Sequence, residues 1–269
     1  MNKSFDIIVL IPHFNNPNGL LTSLMSIRDF DNKILALIVD DGSKEKKIEK
    51  DLIIDSCNFE VDFLFLKKNL GIEYVLNYGL EYIISRYGGA SYIARLDCDD
   101  ICMNNRLKIQ YEFLEKNKDI SFIGSNVKFV DKKKKTLFNL KLPSDHEDIK
   151  RKMYLNAMFI HPTIFFRKKI LKDTGLYPTN KKSAEDYAFF FNVIKRCKVA
   201  NIPKTLVECV IDPDGISGKK RKQQVLNRIN VIKDNFYFGF YPIYGLIRNI
   251  ILLIIPRNLS SALKGYLKG

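Results

Sequence analysis

Residues 92–100 read Tyr-Ile-Ala-Arg-Leu-Asp-Cys-Asp-Asp, a mainly apolar run that closes on three carboxylates. Side chains alternate along a β-strand, so Asp97 and Asp99 are expected on one face where the strand ends. The chain carries a formal net charge of +14, yet here acidic groups crowd together and need a compensating cation. Carboxylate oxygens are ligands that Mg²⁺ or Mn²⁺ prefers. The segment therefore predicts a strand that ends in a metal site or, as the alternative, an acidic loop that caps the next helix.

Short β-branched runs alternate with amphipathic stretches through the first half of the chain. The strand-like runs are Asp6–Ile11, Ile34–Val39, Val61–Leu66 and Tyr92–Leu96. The helix-like patterns lie near Leu20–Arg28, Glu45–Ile54, Ile72–Arg86 and Asn105–Lys116. This alternation predicts an α/β fold with a doubly wound, mostly parallel sheet and helices on both of its faces.

A polar cluster follows each of these strand-like runs. The clusters are Pro12–Asn15, Asp40–Ser43, Lys67–Asn69 and Asp97–Asp100. The carboxyl ends of parallel strands share one edge of the sheet, and doubly wound folds bind ligands beyond that edge. Four clusters at one edge therefore predict a binding site there.

Composition limits the class of protein. With 269 residues, 46% of them hydrophobic, the chain can bury a substantial core. Its five cysteines include no CxxC pair, which favours a reducing compartment over a disulfide framework or a thiolate zinc site. The first apolar run, Ile7–Ile11, is too short for a signal peptide and leads into Pro12, so we expect a cytoplasmic protein.

The positive charge indicates an anionic partner, either nucleic acid or an anionic membrane. The chain has no Trp, no aromatic signature of an RNA-recognition motif and no Cys/His finger spacing, so we expect no nucleic-acid partner.

We divide the chain into a first domain of residues 1–217 and a C-terminal extension of residues 218–269. The extension contains a basic run, an aromatic-rich segment and an apolar segment, which are Lys219–Lys222, Phe236–Tyr244 and Ile250–Ile255. Beyond Pro256, apolar residues recur at helical spacing with basic residues on the other side. This pattern predicts a helical tail that lies peripherally on the inner face of an anionic membrane. The alternative is that the tail packs on the first domain or on a second subunit of a homo-oligomer.

Several motifs occur together in a fixed order. They are Ile7–Asn15, Leu37–Ser43, Asn69–Gly71 with Asn77–Leu80, Ile93–Asp100 with Asn105–Leu107 and Gln110, Gly124–Ser125, His161–Thr163 with Phe166–Arg167, and Glu185–Asp186. In this order the chain resembles the family 2 glycosyltransferases, enzymes of the GT-A fold that are common in bacterial surface-polysaccharide synthesis. The resemblance extends over roughly residues 5–217.

The resemblance implies a nucleotide-sugar donor, a UDP-sugar in the first place. The implied donor-binding residues are Pro12, His13, Phe14, Asn15, Asp40, Asp41, Asn69 and Asp97. One of the two aspartates after the second strand would accept the uracil N3–H. In the DXD motif, Asp99 would bind the Mn²⁺ or Mg²⁺ that neutralises the leaving diphosphate. Asp100 is expected to cap the next helix or to orient Asp99.

Glu185 and Asp186 precede the apolar stretch Tyr187–Ile194 and are expected at the start of a helix. By the resemblance, Asp186 is the catalytic base of an inverting transfer, and Glu185 is a positioning residue. The acceptor would be a glycan or a lipid-linked glycan. The alternative is that both carboxylates only favour the helix N-terminus.

The sequence departs from the family at Val210–Ser217, where Asp212 replaces the His of an Arg-x-His element. Asp212 or Asp214 would then complete the metal site, unless this loop does not touch the metal. His161 is expected to pack rather than to bind metal. The rival functions are a catalytically inactive nucleotide-sugar-binding module and a nucleotidyltransferase, although the Gly-rich basic loop of the latter is missing after the first strand.

Overall fold

The computed structural model describes residues 5–28, 32–211 and 221–254. The first half alternates strands and helices as predicted. Its elements are β1 (Ile7–His13), α1 (Pro17–Met25), β2 (Ile34–Asp40), α2 (Lys50–Asp55), β3 (Glu60–Phe65), α3 (Ile72–Arg86) and β4 (Tyr92–Arg95).

The second half is less regular. Its elements are β5 (Ile101–Cys102), α4 (Arg106–Lys116), β6 (Ile120–Val130), β7 (Thr136–Leu140), α5 (His146–Lys152), β8 (Phe165–Arg167), α6 (Leu171–Thr174), α7 (Glu185–Arg196), β9 (Lys198–Val210), α8 (Arg221–Asp234) and α9 (Phe240–Ile254). Short 3₁₀ turns at His161–Thr163 and Lys168–Ile170 flank β8.

Within the described residues, nine strands form one sheet in the order β3-β2-β1-β4-β8-β6-β9-β5, with β7 beside β6. The strands β3, β2, β1 and β4 are parallel, whereas β8 is antiparallel to both β4 and β6. The expected parallel sheet thus covers the first four strands, and the rest is mixed. Parallel pairing needs a long crossover, and the turn at residues 131–135 between β6 and β7 is too short to provide one.

The central strands are buried on both faces. Every residue of β2 is buried, as expected for a parallel strand covered by helices on each side. On one face, α3 packs so closely that a Cβ at Gly79 would lie 2.5 Å from Leu10 Cδ1. On the other face, α1 and α4 contribute Leu20, Leu24, Leu107 and Leu114 to a separate apolar cluster. The prediction of helices on both faces is confirmed.

The helix α1 begins three residues before the predicted pattern. Pro17 occupies its first turn, where the missing N–H of proline is tolerated. The Asn16 side chain accepts a hydrogen bond from the Gly19 amide at 3.1 Å and caps the helix. This cap fixes the end of the loop that follows β1.

The helices α8 and α9 pack against the body of the protein. Val231 and Ile232 of α8 belong to the same apolar cluster as Phe189 and Phe191 of α7. A Cβ at Gly245 of α9 would lie 2.3 Å from the Tyr154 carbonyl oxygen. None of the helices in the described ranges has the length and apolar composition needed to cross a bilayer. The tail beyond Pro256, predicted as an interfacial helix, lies outside the described residues.

Candidate active site

A cleft of about 620 Å³ opens at the carboxyl edge shared by β1, β2 and β4. One group of lining residues comes from β1, β2 and the loop before α3, and includes Pro12, His13, Phe14, Asp41 and Asn69. A second group comes from β4, the turn at His161 and the start of α7, and includes Arg95, Asp97, Glu185 and Asp186. Each of the four predicted polar clusters therefore contributes at least one residue to the cleft, including Asn69 after β3, as predicted.

His13 and Asp40 form a buried pair at the base of the cleft. His13 Nδ1 lies 2.6 Å from Asp40 Oδ2, and the Asn16 amide donates to His13 Nε2 at 3.1 Å. Because Nε2 accepts, the ring proton is on Nδ1 and is donated to Asp40. Burial acts to raise the pKa of Asp40, but the hydrogen bonds from His13 and Ser43 outweigh it and hold that pKa below its usual value. Asp40 thus supports the cleft from behind without lining it.

Asp41 is the member of the aspartate pair that faces the cleft. Its Oδ1 accepts the Leu70 amide at 2.7 Å, and its Oδ2 accepts the Gly71 amide at 3.1 Å. Burial nevertheless raises the pKa of Asp41. Each oxygen keeps a further lone pair, so Asp41 can accept one more hydrogen bond from a ligand.

Some residues at the end of β1 and in the following loop line the cleft, and others hold the loop in place. Pro12 and Phe14 line the cleft, and Phe14 offers a half-exposed ring on which a planar group can stack. Asn15 instead holds the loop, since its amide donates to Ser43 Oγ at 2.8 Å and its Oδ1 accepts the Glu45 amide at 3.3 Å. Asn15 therefore does not line the cleft.

Asp97 and Asp99 face different sides, so the expectation of a shared strand face is wrong. β4 ends at Arg95, and the chain then turns with Asp99 at a φ of 73°. Asp97 lines the cleft, with Oδ1 2.6 Å from Arg95 Nη2. Asp99 turns toward α1, where its Oδ2 accepts from Asn16 Nδ2 at 2.6 Å and its amide donates to Gly19 at 3.0 Å.

No cluster of three His, Cys, Asp or Glu side chains in the described residues could hold a metal. The alternative ligands Asp212 and Asp214 lie outside those residues. Mg²⁺ and similar ions are, however, often held by one or two carboxylates together with substrate phosphates. Asp99 is half-buried and keeps acceptor capacity beyond its bond from Asn16. Its carboxylate oxygens suit a hard divalent ion. Asp99 itself borders a neighbouring hollow with Lys132 and Lys134 and does not line the cleft that contains Asp97.

The expectation that Asp100 caps the next helix is wrong. The helix α4 begins only at Arg106, so Asp100 does not cap it. Asp100 is buried, and its Oδ1 accepts the Val210 amide at 3.0 Å. Burial, and next the charge of Asp97, raise the pKa of Asp100 to about 8. Asp100 thus fastens the acidic motif to the end of β9.

Glu185 and Asp186 begin α7, as predicted, and both line the cleft. Burial and the adjacent charge of Asp186 raise the pKa of Glu185 to about 7. Burial also raises the pKa of Asp186, while the Arg228 guanidinium opposes the shift. Asp186 Oδ1 accepts the Tyr187 amide at 2.6 Å. A carboxylate with a raised pKa in a cleft is suited to taking up a proton near neutral pH.

His161 lines the same cleft, and its Nε2 lies 2.9 Å from the Tyr177 hydroxyl. Burial lowers the pKa of His161 well below its usual value, and the nearby Arg95 adds to this effect. The ring is therefore neutral and packed at the wall of the cleft, in the packing role expected of it.

The cleft also contains residues that sequence reasoning missed, namely Glu73, Arg95, Lys182 and Gln224. Arg95 left a signal, because it is a charged residue inside an otherwise apolar strand. Glu73 left no such signal in the sequence, because acidic residues are common in the first turn of a helix. Lys182 and Gln224 reach the site through contacts between segments distant in sequence, which no local pattern reveals.

Curated relatives of this chain include a protein that it matches over nearly the full length of both sequences. The UDP-Gal:alpha-D-GlcNAc-diphosphoundecaprenol beta-1,3-galactosyltransferase of Escherichia coli is 26% identical over 281 residues, which cover 98% of this chain and 94% of that protein. An uncharacterised glycosyltransferase of Rickettsia bellii is 25% identical over 256 residues, but this chain spans only 35% of its length.

Solved structures of low sequence identity share the fold. Staphylococcus aureus TarS 1–349 in complex with UDP-GlcNAc superposes with a TM-score of 0.67 at 16% identity, over 91% of this chain and 71% of that one. The mannosyltransferase PcManGT of Pyrobaculum calidifontis, in complex with GDP-Man and Mn²⁺, gives 0.62 at 13% identity, over 93% and 70%. These neighbours confirm the GT-A fold.

The family model described as Glycosyl transferase family 2 matches residues 8–175. That range begins in β1 and includes the polar ends of β1, β2 and β4 that form the cleft. The chain therefore belongs to glycosyl transferase family 2, and the protein is a glycosyltransferase.

Proposed function

We propose that this glycosyltransferase is an inverting, metal-dependent enzyme that transfers a sugar from a UDP-sugar to a glycan or lipid-linked glycan in cell-surface polysaccharide synthesis. The observation that carries the proposal is one continuous cleft that contains both Asp41, at the end of β2, and Asp186, at the start of α7. Residues 1–217 would form the glycosyltransferase domain, with both the donor site and Asp186, and Gln224 of the extension 218–269 would add to the acceptor side.

The donor assignment rests on Asp41 and Phe14. Asp41 can accept the imide N–H of uracil, and the exposed ring of Phe14 can stack on a base. The UDP-GlcNAc complex of the TarS neighbour supports a uridine nucleotide. A metal held by Asp99 would neutralise the negative charge that develops on the leaving diphosphate. The Mn²⁺ complex of the Pyrobaculum calidifontis neighbour supports such an ion.

The acceptor assignment rests on Asp186 and α8. Asp186 would remove the proton of the acceptor hydroxyl while the oxygen attacks the anomeric carbon opposite the leaving group, which inverts the configuration. Gln224 of α8 lines the cleft beside the start of α7. The name of the E. coli relative contains a diphosphoundecaprenol acceptor, which supports a lipid-linked acceptor for this chain.

A screen of UDP-, GDP- and dTDP-sugars for Mn²⁺-dependent hydrolysis and thermal stabilisation tests the donor class without knowledge of the acceptor. We expect UDP-sugars to stabilise the protein and to release UDP slowly. A nucleotidyltransferase would instead release pyrophosphate from UTP and a sugar 1-phosphate. An inactive binding module would be stabilised with no turnover.

We expect Asp99→Ala to remove most of the gain in UDP affinity that Mn²⁺ gives the wild type. Loss of a group that only orients a metal ligand weakens metal binding about 10- to 100-fold, so loss of the ligand itself should weaken it by at least about tenfold. Calorimetric titration of UDP with and without Mn²⁺ measures the effect. Asp55→Ala, on exposed α2, is the control. Retention of the full Mn²⁺-dependent gain would exclude Asp99 as the ligand.

The proposal includes attachment to an anionic membrane through α9 and the segment before it. Large apolar side chains are exposed there, namely Phe236, Tyr237, Phe238, Phe240, Ile243, Tyr244, Ile247, Ile250, Ile251 and Ile254. Three basic residues, Lys150, Arg151 and Lys195, and two acidic residues, Glu147 and Asp234, border the same hollow as Phe236 and Tyr237. An apolar helix face bordered by basic side chains is typical of proteins that lie on anionic bilayers.

The double variant Phe238→Asp/Phe240→Asp should lose most of its sedimentation with phosphatidylglycerol vesicles at moderate salt. These rings are 94% and 71% exposed, so charging them should not disturb the fold. The matched control is Leu52→Asp/Ile54→Asp, which charges two exposed apolar residues of α2. Equal sedimentation of both variants with the wild type would contradict this attachment surface.

A further inference from the structure

Two buried glutamates in the cleft have an oxygen without a hydrogen-bond donor. Glu73, in the first turn of α3, is 3% exposed, and Glu185, the first residue of α7, is 7% exposed. Glu73 Oε1 and Glu185 Oε2 receive no hydrogen bond from any described residue. Leaving buried carboxylate oxygens unpaired is costly, and the cost disappears when a ligand supplies donors.

Glu73 lines the same cleft as Asp41, at the proposed donor end, and Asp186, the proposed base. Burial is the main cause of the raised pKa values of Asp41 and Glu185, and the charge of Glu73 adds to both. Glu73, Asp41 and Glu185 also line the same cleft. Glu73 also lies beside Gly71, where a Cβ would come within 3.1 Å of Glu73 Oε2.

A ligand that satisfies both oxygens must carry hydrogen-bond donors at this position. The diphosphate of a nucleotide has none and is negatively charged, so two buried carboxylates disfavour it. Hydroxyl groups on a sugar ring are neutral donors, and one ring presents several of them. A carboxylate that accepts from a hydroxyl makes a charge-assisted hydrogen bond, which is stronger than one between neutral groups.

We propose that Glu73, together with Glu185, binds hydroxyl groups of the transferred sugar, so that Glu73 determines which donor sugar is accepted. This inference rests on the proposed function, because it takes the ligand to be a nucleotide sugar. Asp41 would hold the uracil base, and Asp186 would deprotonate the acceptor hydroxyl that attacks the anomeric carbon. Glu73 lines the cleft that contains both residues, and the transferred sugar would lie in this cleft.

The test compares Glu73→Gln with the wild type in titrations of UDP, UDP-glucose, UDP-galactose and UDP-GlcNAc in the presence of Mn²⁺. For the UDP-sugar that the wild type binds most tightly, we expect Kd to rise about 10- to 100-fold, the usual loss for one hydrogen bond to a charged group. Affinity for UDP should stay the same. The matched control is Glu81→Gln, which alters an exposed glutamate of the same helix.

Thermal unfolding of the ligand-free protein gives a second readout with the opposite sign. Glutamine has the shape of glutamate but replaces a buried carboxylate whose Oε1 receives no hydrogen bond, so the Tm of Glu73→Gln should rise by a few degrees. If Glu73 only supported the fold, the variant would instead lower both Tm and the affinity for every nucleotide.

Three results would overturn the assignment of Glu73. The first is an equal loss of affinity for UDP and for the UDP-sugar, which would place Glu73 at the nucleotide. The second is no loss of affinity for either ligand. The third is a lower Tm together with weaker binding of both ligands. A wild type that binds none of the four uridine nucleotides would contradict the proposed donor class itself, and this inference with it. The wild-type titrations therefore distinguish the two failures.

Discussion

Asp186→Asn should lower kcat for sugar transfer by about 10²- to 10⁴-fold, the usual contribution of a general base. Asparagine keeps the size of the side chain and an oxygen that can accept the Tyr187 amide, now 2.6 Å away. It cannot take up the proton of the acceptor hydroxyl. The donor Kd should stay close to that of the wild type, because the base acts on the acceptor and not on the nucleotide sugar.

The pH dependence of transfer distinguishes the base from its neighbour. Burial raises the pKa of Asp186, and burial with the charge of Asp186 raises the pKa of Glu185 to about 7. The deprotonated base is therefore lost as the pH falls, and wild-type kcat/KM should fall on the acid side. Glu185→Gln removes a neighbouring negative charge, so it should move this decline to lower pH.

Two outcomes would contradict the assignment of Asp186. A mutant that transfers sugar at nearly the wild-type rate would exclude Asp186 as the base and direct attention to Glu185. A collapse of donor affinity in Asp186→Asn would place this side chain in the nucleotide site. Parallel measurement of kcat and of donor Kd in the same preparations separates these cases.

The order of strands and helices was predictable because each element carries its own periodic signal. β1, β2 and β4 are apolar runs that end in polar clusters, and the shared edge follows from parallel pairing. The strand periodicity failed one step beyond β4. The alternation of side chains predicts Asp97 and Asp99 on one face, but the strand ends at Arg95 and the chain then turns, with Asp99 at positive φ. A period of two holds only within the strand itself.

The choice between Asp40 and Asp41 shows a second limit. Asp40 is the last residue of β2 and points to His13, whereas Asp41 meets the amides of Leu70 and Gly71. Both are acidic residues at a strand end, so their local patterns are alike. Only the position of the loop before α3 determines which carboxylate faces the cleft, and that position depends on contacts 29 and 30 residues away along the chain.

Arg106 links the fold to the site and is 1% exposed. Its Nη2 donates to the carbonyl oxygens of Arg95 at 2.8 Å and Ile164 at 3.1 Å. Its Nε donates to Gln110 Oε1 at 2.8 Å, and Gln110 donates to the Thr163 carbonyl oxygen at 2.8 Å. One side chain thus joins α4, the end of β4 and the residue before β8.

Arg106→Met should lower the free energy of unfolding by about 2–6 kcal/mol, because methionine fills much of the space but leaves two buried acceptors, the Arg95 carbonyl oxygen and Gln110 Oε1, without the Arg106 donor, at about 1–3 kcal/mol each. The Ile164 carbonyl oxygen still accepts the Arg95 amide at 3.1 Å. Thermal unfolding should show a Tm lower by roughly 10 °C. Because the Arg95 carbonyl lies two residues before Asp97, the affinity for UDP should fall as well. Lys108→Met, on the exposed side of α4, is the control. A Tm within about 2 °C of the wild type would show that water or neighbouring donors replace the guanidinium, and that the end of β4 is held by the sheet alone.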